Sequence, residues 1–221
     1  MITIAMKLVS LLEWGNPSNP LEDKLSDFAN YWWYYRLPTV NGDGIARFRN
    51  ALIGFNLNRN TMTKNNLFDG LPWVVDFKYK IISVGGNSLI FRTADNNPFL
   101  WYWGGSYSAA NMTKSDASVT GVDYTNWHRF TVQYTKENPN IRLFLDGKQF
   151  AYRNSVKCEP SFYMGGNDIW YGGGYVQMDV QPVAIFKGVI EQEFDFNTNF
   201  LTESHSVYHN QHVYGIPKKE G

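Results

Sequence analysis

The chain has 221 residues, with Lys+Arg and Asp+Glu each totalling 20, so the formal net charge is zero. This length fits one sandwich-sized domain that buries about 70% of its unfolded surface and needs no covalent staples. Zero net charge argues against a general electrostatic grip on nucleic acid or on an anionic membrane, and no run approaches the ~18 apolar residues of a membrane span. Cys158 is the single cysteine, which excludes an internal disulfide. Aromatic residues reach 17%, with 8 Trp. Rings of this kind suit partly exposed recognition surfaces, and they also fill all-β cores.

Taken in chain order, strand-like segments fall at Thr3–Leu11, Ala29–Arg36, Ile45–Leu52, Trp73–Val84, Ser88–Ala94 and Phe99–Trp103. They continue at Trp127–Thr135, Ile141–Leu145, Gln149–Arg153, Ser161–Met164, Tyr175–Val180 and Val183–Lys187. Gly, Asn, Asp and Pro clusters separate them, as in a sandwich or jelly roll. The one helical spacing is at Leu21, Leu25, Phe28 and Ala29. Thr202–Gly221 loses alternation and reads as an arm or tail, leaving residues 1–201 as the sandwich. The most informative stretch is Asn126–Phe150. Its first strand places His128, Phe130, Val132 and Tyr134 on one face and Trp127, Arg129, Thr131 and Gln133 on the other, the period of a sheet with one buried side. Asn138-Pro139-Asn140 supplies turn chemistry, Ile141, Leu143 and Leu145 alternate in the next strand, and Asp146-Gly147 is a strong hairpin signal.

Trp127-His128, the Phe130–Tyr134 strand, Ile141–Leu145 and Asp146-Gly147-Lys148 resemble the core of laminin G-like domains in the concanavalin A-like lectin/glucanase superfamily. Lys7–Asn16 looks like that family's first strand, Phe68-Asp69-Gly70 with Trp73–Ile82 like its inner strand, and Met164-Gly165-Gly166, Val176–Val180 and Val183–Val189 like its closing strands. The resemblance spans Lys7 to Leu201 and implies an all-β, concanavalin A-like jelly-roll sandwich of two antiparallel sheets.

The same superfamily includes laminarinase-type glycoside hydrolases, whose retaining members hold two carboxyl groups ~5 Å apart on one strand. The nearest match is Glu191, Glu193 and Asp195, which would share a strand face. The family's further acid is replaced by Asn197 and Thr198, and the motif sits at the end of the domain, so a solvated acidic turn is expected. His205, His209 and His212 have the i, i+4, i+7 spacing of a zinc set on a helix, but in a segment with weak helical character they read as a His-rich tail. His128 reads as a satisfied structural residue. No G-x-S-x-G elbow is present, Cys158 lacks a catalytic signature, and Gly85-Gly86-Asn87 and Gly172-Gly173-Gly174 read as turns. Some laminin G-like domains hold calcium near the rim. Asp95-Asn96-Asn97 and Asp116 to Asp123 could supply oxygen ligands, without a residue-by-residue match, which leaves the metal open. Asn111-Met112-Thr113 fits a glycosylation sequon.

Glycan recognition needs flat rings beside Asn, Asp or backbone donors. Two loops offer these: Trp101, Trp103 and Tyr107 in one, Asn167, Asp168, Trp170 and Tyr171 in the other. The bland alternative points alternate rings of each run into the core. Tyr31–Tyr35 cannot bury all its rings on one face and suggests an interface. Met1–Trp14 lacks a basic n-region and a small-residue cleavage site. A non-catalytic surface module made without secretion machinery is therefore expected, such as a phage virion component touching glycan or cell-surface polysaccharide. The other readings are a purely structural virion protein, assembled with other virion proteins or as a homo-oligomer, and a glycoside hydrolase.

Overall fold

The computed structural model describes residues 6–24, 32–55, 72–85, 88–93, 98–103, 105–109, 112–115, 119–135, 137–154, 162–165 and 176–200. The elements of these residues are all strands. They are β1 (Lys7–Leu12), β2 (Trp32–Arg36), β3 (Thr39–Val40), β4 (Ala46–Arg49), β5 (Leu52–Phe55), β6 (Trp73–Val84), β7 (Ser88–Thr93), β8 (Pro98–Trp103) and β9 (Ser106–Ser108). They continue with β10 (Lys114–Ser115), β11 (Val119–Thr120), β12 (His128–Tyr134), β13 (Ile141–Leu145), β14 (Lys148–Arg153), β15 (Phe162–Gly165), β16 (Val176–Val180) and β17 (Val183–Lys187). The expected helical spacing and the expected tail fall largely or wholly outside the described residues.

The strands form a β-sandwich of two antiparallel sheets. The ten-stranded sheet runs β10-β14-β13-β12-β6-β16-β4-β3, with β1 and β17 joined to it through β6, and the seven-stranded sheet runs β11-β9-β8-β7-β15-β5-β2. β6 organises the larger sheet. β12 pairs along one of its edges from Trp73 to Tyr79, while the other edge divides between β17 (Trp73–Asp76) and β16 (Tyr79–Val84). The segment Ile45–Leu52, expected as one strand, is two strands in different sheets. Asn50 breaks it with φ of 64° and sends the chain across the sandwich.

Between the sheets lies a ring-rich core. Phe91 packs against Phe130 at 5.2 Å and Phe162 at 4.9 Å between centroids, and Trp73 stacks on Tyr134 at 3.6 Å. Trp14, Trp32 and Trp73 are all buried, so much of the aromatic content is packing.

β12 departs from the one-sided pattern its sequence suggests: all seven residues are buried. Its core-facing side is His128, Phe130, Val132 and Tyr134. Its other side is dry because the irregular segment after β17 crosses it. Phe194 and Phe200 from this segment join Leu8, Val74, Phe144 and Phe186 in a second apolar cluster, and each buried ring contributes about 1.5–3 kcal/mol by leaving water. The polar side chains beneath are paired. Arg129 donates from Nε and Nη2 to the two oxygens of Asp76, both at 2.8 Å, and from Nη1 to the carbonyls of Phe196 (3.2 Å) and Thr198 (2.5 Å). Thr131 donates its hydroxyl to Asp76 at 2.6 Å. At the far end of the same face Gln133 Oε1 accepts from Ile190 N–H at 2.7 Å. One strand thus pins the covering segment at both ends.

The Trp-His and Asp-Gly motifs prove to be two halves of one lock. Asp146 (φ 52°) and Gly147 (φ 81°) form the two-residue turn joining β13 to β14, with Leu145 opposite Lys148. The Asp146 carboxylate accepts from His128 Nδ1 at 2.7 Å and from Arg129 N–H at 2.8 Å. His128 Nε2 faces the Asp123 carbonyl at 2.9 Å. Both partners of the imidazole can only accept, so the ring is fully matched when both nitrogens carry protons. Burial pushes its pKa down, but the Asp146 hydrogen bond and the Asp123 carbonyl outweigh burial, and the net shift is upward.

Three outcomes follow from this geometry. A Cβ at Gly147 would lie 1.7 Å from the Phe194 carbonyl oxygen, so Gly147→Ala is expected to cost ~3 kcal/mol in urea unfolding. Asp76→Ala leaves a guanidinium buried without its carboxylate and is expected to cost about 3–5 kcal/mol in the same assay. Because the His128 pKa is raised on folding, its stabilising increment is complete below the ordinary imidazole value of ~6.5 and is lost as pH rises through the raised value. Wild type should lose that increment over this window, and His128→Gln, titrated in parallel, should not.

Candidate functional site

The outer face of the seven-stranded sheet carries the described part of the expected aromatic site. Leu100 and Tyr102 point into the core, so alternation along β8 turns Trp101 outward, opposite Leu89 on one side and Ser108 on the other. Trp101 is half-buried, and its indole N–H is enclosed with no acceptor among the described residues. On the same face, further across the sheet, Arg92 lies opposite Tyr163, with its guanidinium 4.7 Å from the ring centroid. Arg92 is itself buried, so the partly exposed groups here are the two rings, Trp101 and Tyr163.

The other expected ligand residues are distributed differently. Tyr107 is a core residue with 0% exposure, packed against Tyr102 at 5.0 Å, His128 at 5.6 Å and Tyr79 at 6.1 Å. Its register explains this: Tyr107 pairs with the inward-pointing Tyr102 and so shares its side of the sheet. Burial is also the main cause raising the pKa of its hydroxyl. Trp103 belongs to β8, opposite Ser106. Asn167, Asp168, Trp170 and Tyr171 lie outside the described residues.

The acidic motif does not form a strand. Glu191, Glu193 and Asp195 are exposed on the irregular segment, and Glu193 accepts from Gln149 N–H at 3.0 Å and Lys148 Nζ at 3.3 Å. The expected solvated acidic turn is what is found. Asp123, a candidate calcium ligand, uses its carboxylate locally, accepting from the Thr125 hydroxyl (2.6 Å), Thr125 N–H (3.0 Å) and Asn126 Nδ2 (3.2 Å). Asp95, Asn96, Asn97, Asp116, Asn111, Cys158 and the three tail histidines are outside the described residues. Among the described residues no cluster of three or more His, Cys, Asp or Glu could hold a metal ion, and no helix is long and apolar enough to cross a membrane.

Two clefts that the sequence reading did not identify open on the ten-stranded sheet, one at each end of the covering segment. The smaller, about 170 Å³, is lined by Asp76, Lys78, Arg129, Asn197, Asn199 and Phe200 among others. Lys78 Nζ sits 4.1 Å from the Phe196 ring centroid. Burial first, and then the neighbouring Arg129, lower the pKa of this amine. The larger cleft, about 370 Å³, is floored by Gln133 and Arg142. The signal for both was present in the sequence as a polar stripe, Arg129, Thr131 and Gln133, and as Asp76 inside an otherwise apolar run.

No family model and no curated protein matches this sequence. Solved structures do. The chain is similar to a Trypanosoma rangeli sialidase in complex with sialic acid, at 12% identity and TM-score 0.63, over 86% of this chain and 31% of that one. It is also similar to the same organism's sialidase held as a covalent intermediate with difluorosialic acid, at 12% identity and TM-score 0.61, with the same coverage. A third similar structure is of botulinum neurotoxin type C, whose cell entry depends on interaction with two ganglioside molecules, at 15% identity and TM-score 0.52, over 86% of this chain and 49% of that one. The chain spans about a third of the length of the sialidases it matches. At these identities the likeness is one of fold, a β-sandwich found within larger proteins.

Proposed function

We propose that this chain is a non-catalytic, laminin G-like module of the concanavalin A-like type that binds glycan, carried on a virion or other extracellular surface together with other virion proteins. The observation that carries the reading is Trp101: a half-buried indole on the outward face of a rigid sheet. A sugar ring offers the C–H face that stacks on such an indole. Two similar structures come from proteins whose named ligands, sialic acid and gangliosides, carry sugar, which supports the same use of the fold here. Glu191, Glu193 and Asp195 do not share the strand face that retaining hydrolysis requires. One shallow site of this kind binds at about mM to μM, so attachment draws on many copies.

A second reading, assembly between copies or with virion partners, is favoured by β2. On this terminal strand of the seven-stranded sheet Tyr34 and Tyr35 are 56% and 80% exposed, with a register shift between Tyr34 and Arg36. Size measured against concentration separates the two readings, since recognition is compatible with a stable monomer.

On a glycan array the wild-type chain should give discrete signals. Trp101→Ala should lower them roughly tenfold while leaving the circular dichroism spectrum unchanged. Trp170→Ala tests the second loop in the same experiment. Absence of any signal, or signals indifferent to both substitutions, would remove the glycan reading.

A further inference from the structure

The larger cleft on the ten-stranded sheet has a floor of two hydrogen-bond donors that lack acceptors among the described residues. Gln133 and Arg142 face each other in the β12–β13 register. Gln133 is 1% exposed, and the Ile190 N–H that donates to its Oε1 fixes which end of the amide is oxygen. Its Nε2 is therefore directed away from Ile190, and it is enclosed with no acceptor among the described residues. Arg142 Nε is enclosed in the same way, and no carboxylate among the described residues pairs with this half-buried guanidinium. Buried donors without acceptors are rare, and each calls for an explanation.

The walls narrow the choice of acceptor. Pro72 and Val189 line one side, where Gly188 N–H donates to the Pro72 carbonyl at 3.1 Å and closes the backbone. The other side is the turn after β12, closed by Thr135 N–H donating to the Asn140 carbonyl at 2.8 Å. The Thr135 hydroxyl already donates to the Glu137 and Pro139 carbonyls. Glu137 and Asn138 stand exposed at the mouth. Among the described residues, a dianion such as phosphate would meet one cation and the Glu137 carboxylate together, which disfavours it. A planar monoanion with two oxygens matches two adjacent donors, one of them charged. Apolar walls then take C–H groups, and Glu137 takes hydroxyl hydrogens. The volume, about 370 Å³, is at the low end for small-molecule sites.

We infer that this cleft binds an acidic monosaccharide, its carboxylate held by Arg142 and Gln133 and its ring lying between Pro72 and Val189. The site belongs to the other sheet from Trp101 and does not depend on it. Trp101→Ala leaves it intact, so the two readings fail separately.

The test is a titration of the full chain with sodium glucuronate and sodium N-acetylneuraminate, followed by ¹⁵N-resolved NMR, with glucose and sodium acetate as controls. At least one acidic sugar should bind saturably and shift the Gln133 side-chain amide resonances. Glucose should not bind, and acetate should bind at least roughly tenfold more weakly. Arg142→Gln should weaken the acidic sugar at least roughly tenfold. So should Gln133→Glu, which keeps the oxygen that holds Ile190 and replaces the donor with a repelling carboxylate. The amide shift in the wild-type chain reads the site even if a variant folds poorly. No saturable binding by either acid, binding of glucose or acetate as tight as the acidic sugars, or acidic-sugar binding unchanged in Arg142→Gln would overturn the inference.

Discussion

The molecule is organised around a guanidinium that has been taken out of water. Arg129 is 3% exposed, and a buried cation is tolerated only when its donors and its charge are both matched. Two of its nitrogens meet the Asp76 carboxylate on the neighbouring strand, the third meets two backbone carbonyls of the covering segment, and the rings of Phe194 and Phe200 lie 5.0 and 4.3 Å from its centre. The sheet contributes half of this arrangement and the irregular segment the other half. Neither half is complete without the other. The second apolar layer therefore relies on the β6–β12 register, which sets Asp76 beside Arg129.

This explains why the two sheets have such different outer faces. The ten-stranded sheet is roofed over β12, β13, β17 and part of β6, and the roof leaves a cleft at each end where its anchors sit. On the outer side of the seven-stranded sheet Trp101 is half-buried, and Arg92, itself buried, lies against Tyr163. Groups mounted on paired strands are held more rigidly than groups on loops.

Much of the frame was legible in the sequence. β6, β13 and β17 have the bounds their patterns suggest, because long alternation and Asp-Gly punctuation are local signals. The two- and three-residue strands β3, β9, β10 and β11 carry no such signal, since partners distant in sequence define them. The buried polar face of β12 escaped for the same reason. Arg129 finds its partners 53, 67 and 69 residues away, and no periodicity records that. Trp101 and Tyr107 looked equivalent in a run of rings and glycines. Only the pairing of Tyr107 with Tyr102 decides that one faces out and the other in. The His128–Asp146 contact is the opposite case, visible beforehand as two dipeptide motifs whose connection became clear only in three dimensions.

The strap from Ile190 to Phe200 also determines how this protein would bear load. Tension applied beyond Phe200 reaches Arg129 first, through the Thr198 and Phe196 carbonyls, and must then tear the Phe194 and Glu193 contacts to the β13–β14 hairpin before it reaches Gln133. Only after both anchors yield would force arrive at β17 and begin to unzip it from β6. A body tethered through this end would therefore have a sacrificial latch in series with its sheet, able to open and reseat under shear while the sandwich behind it stays whole.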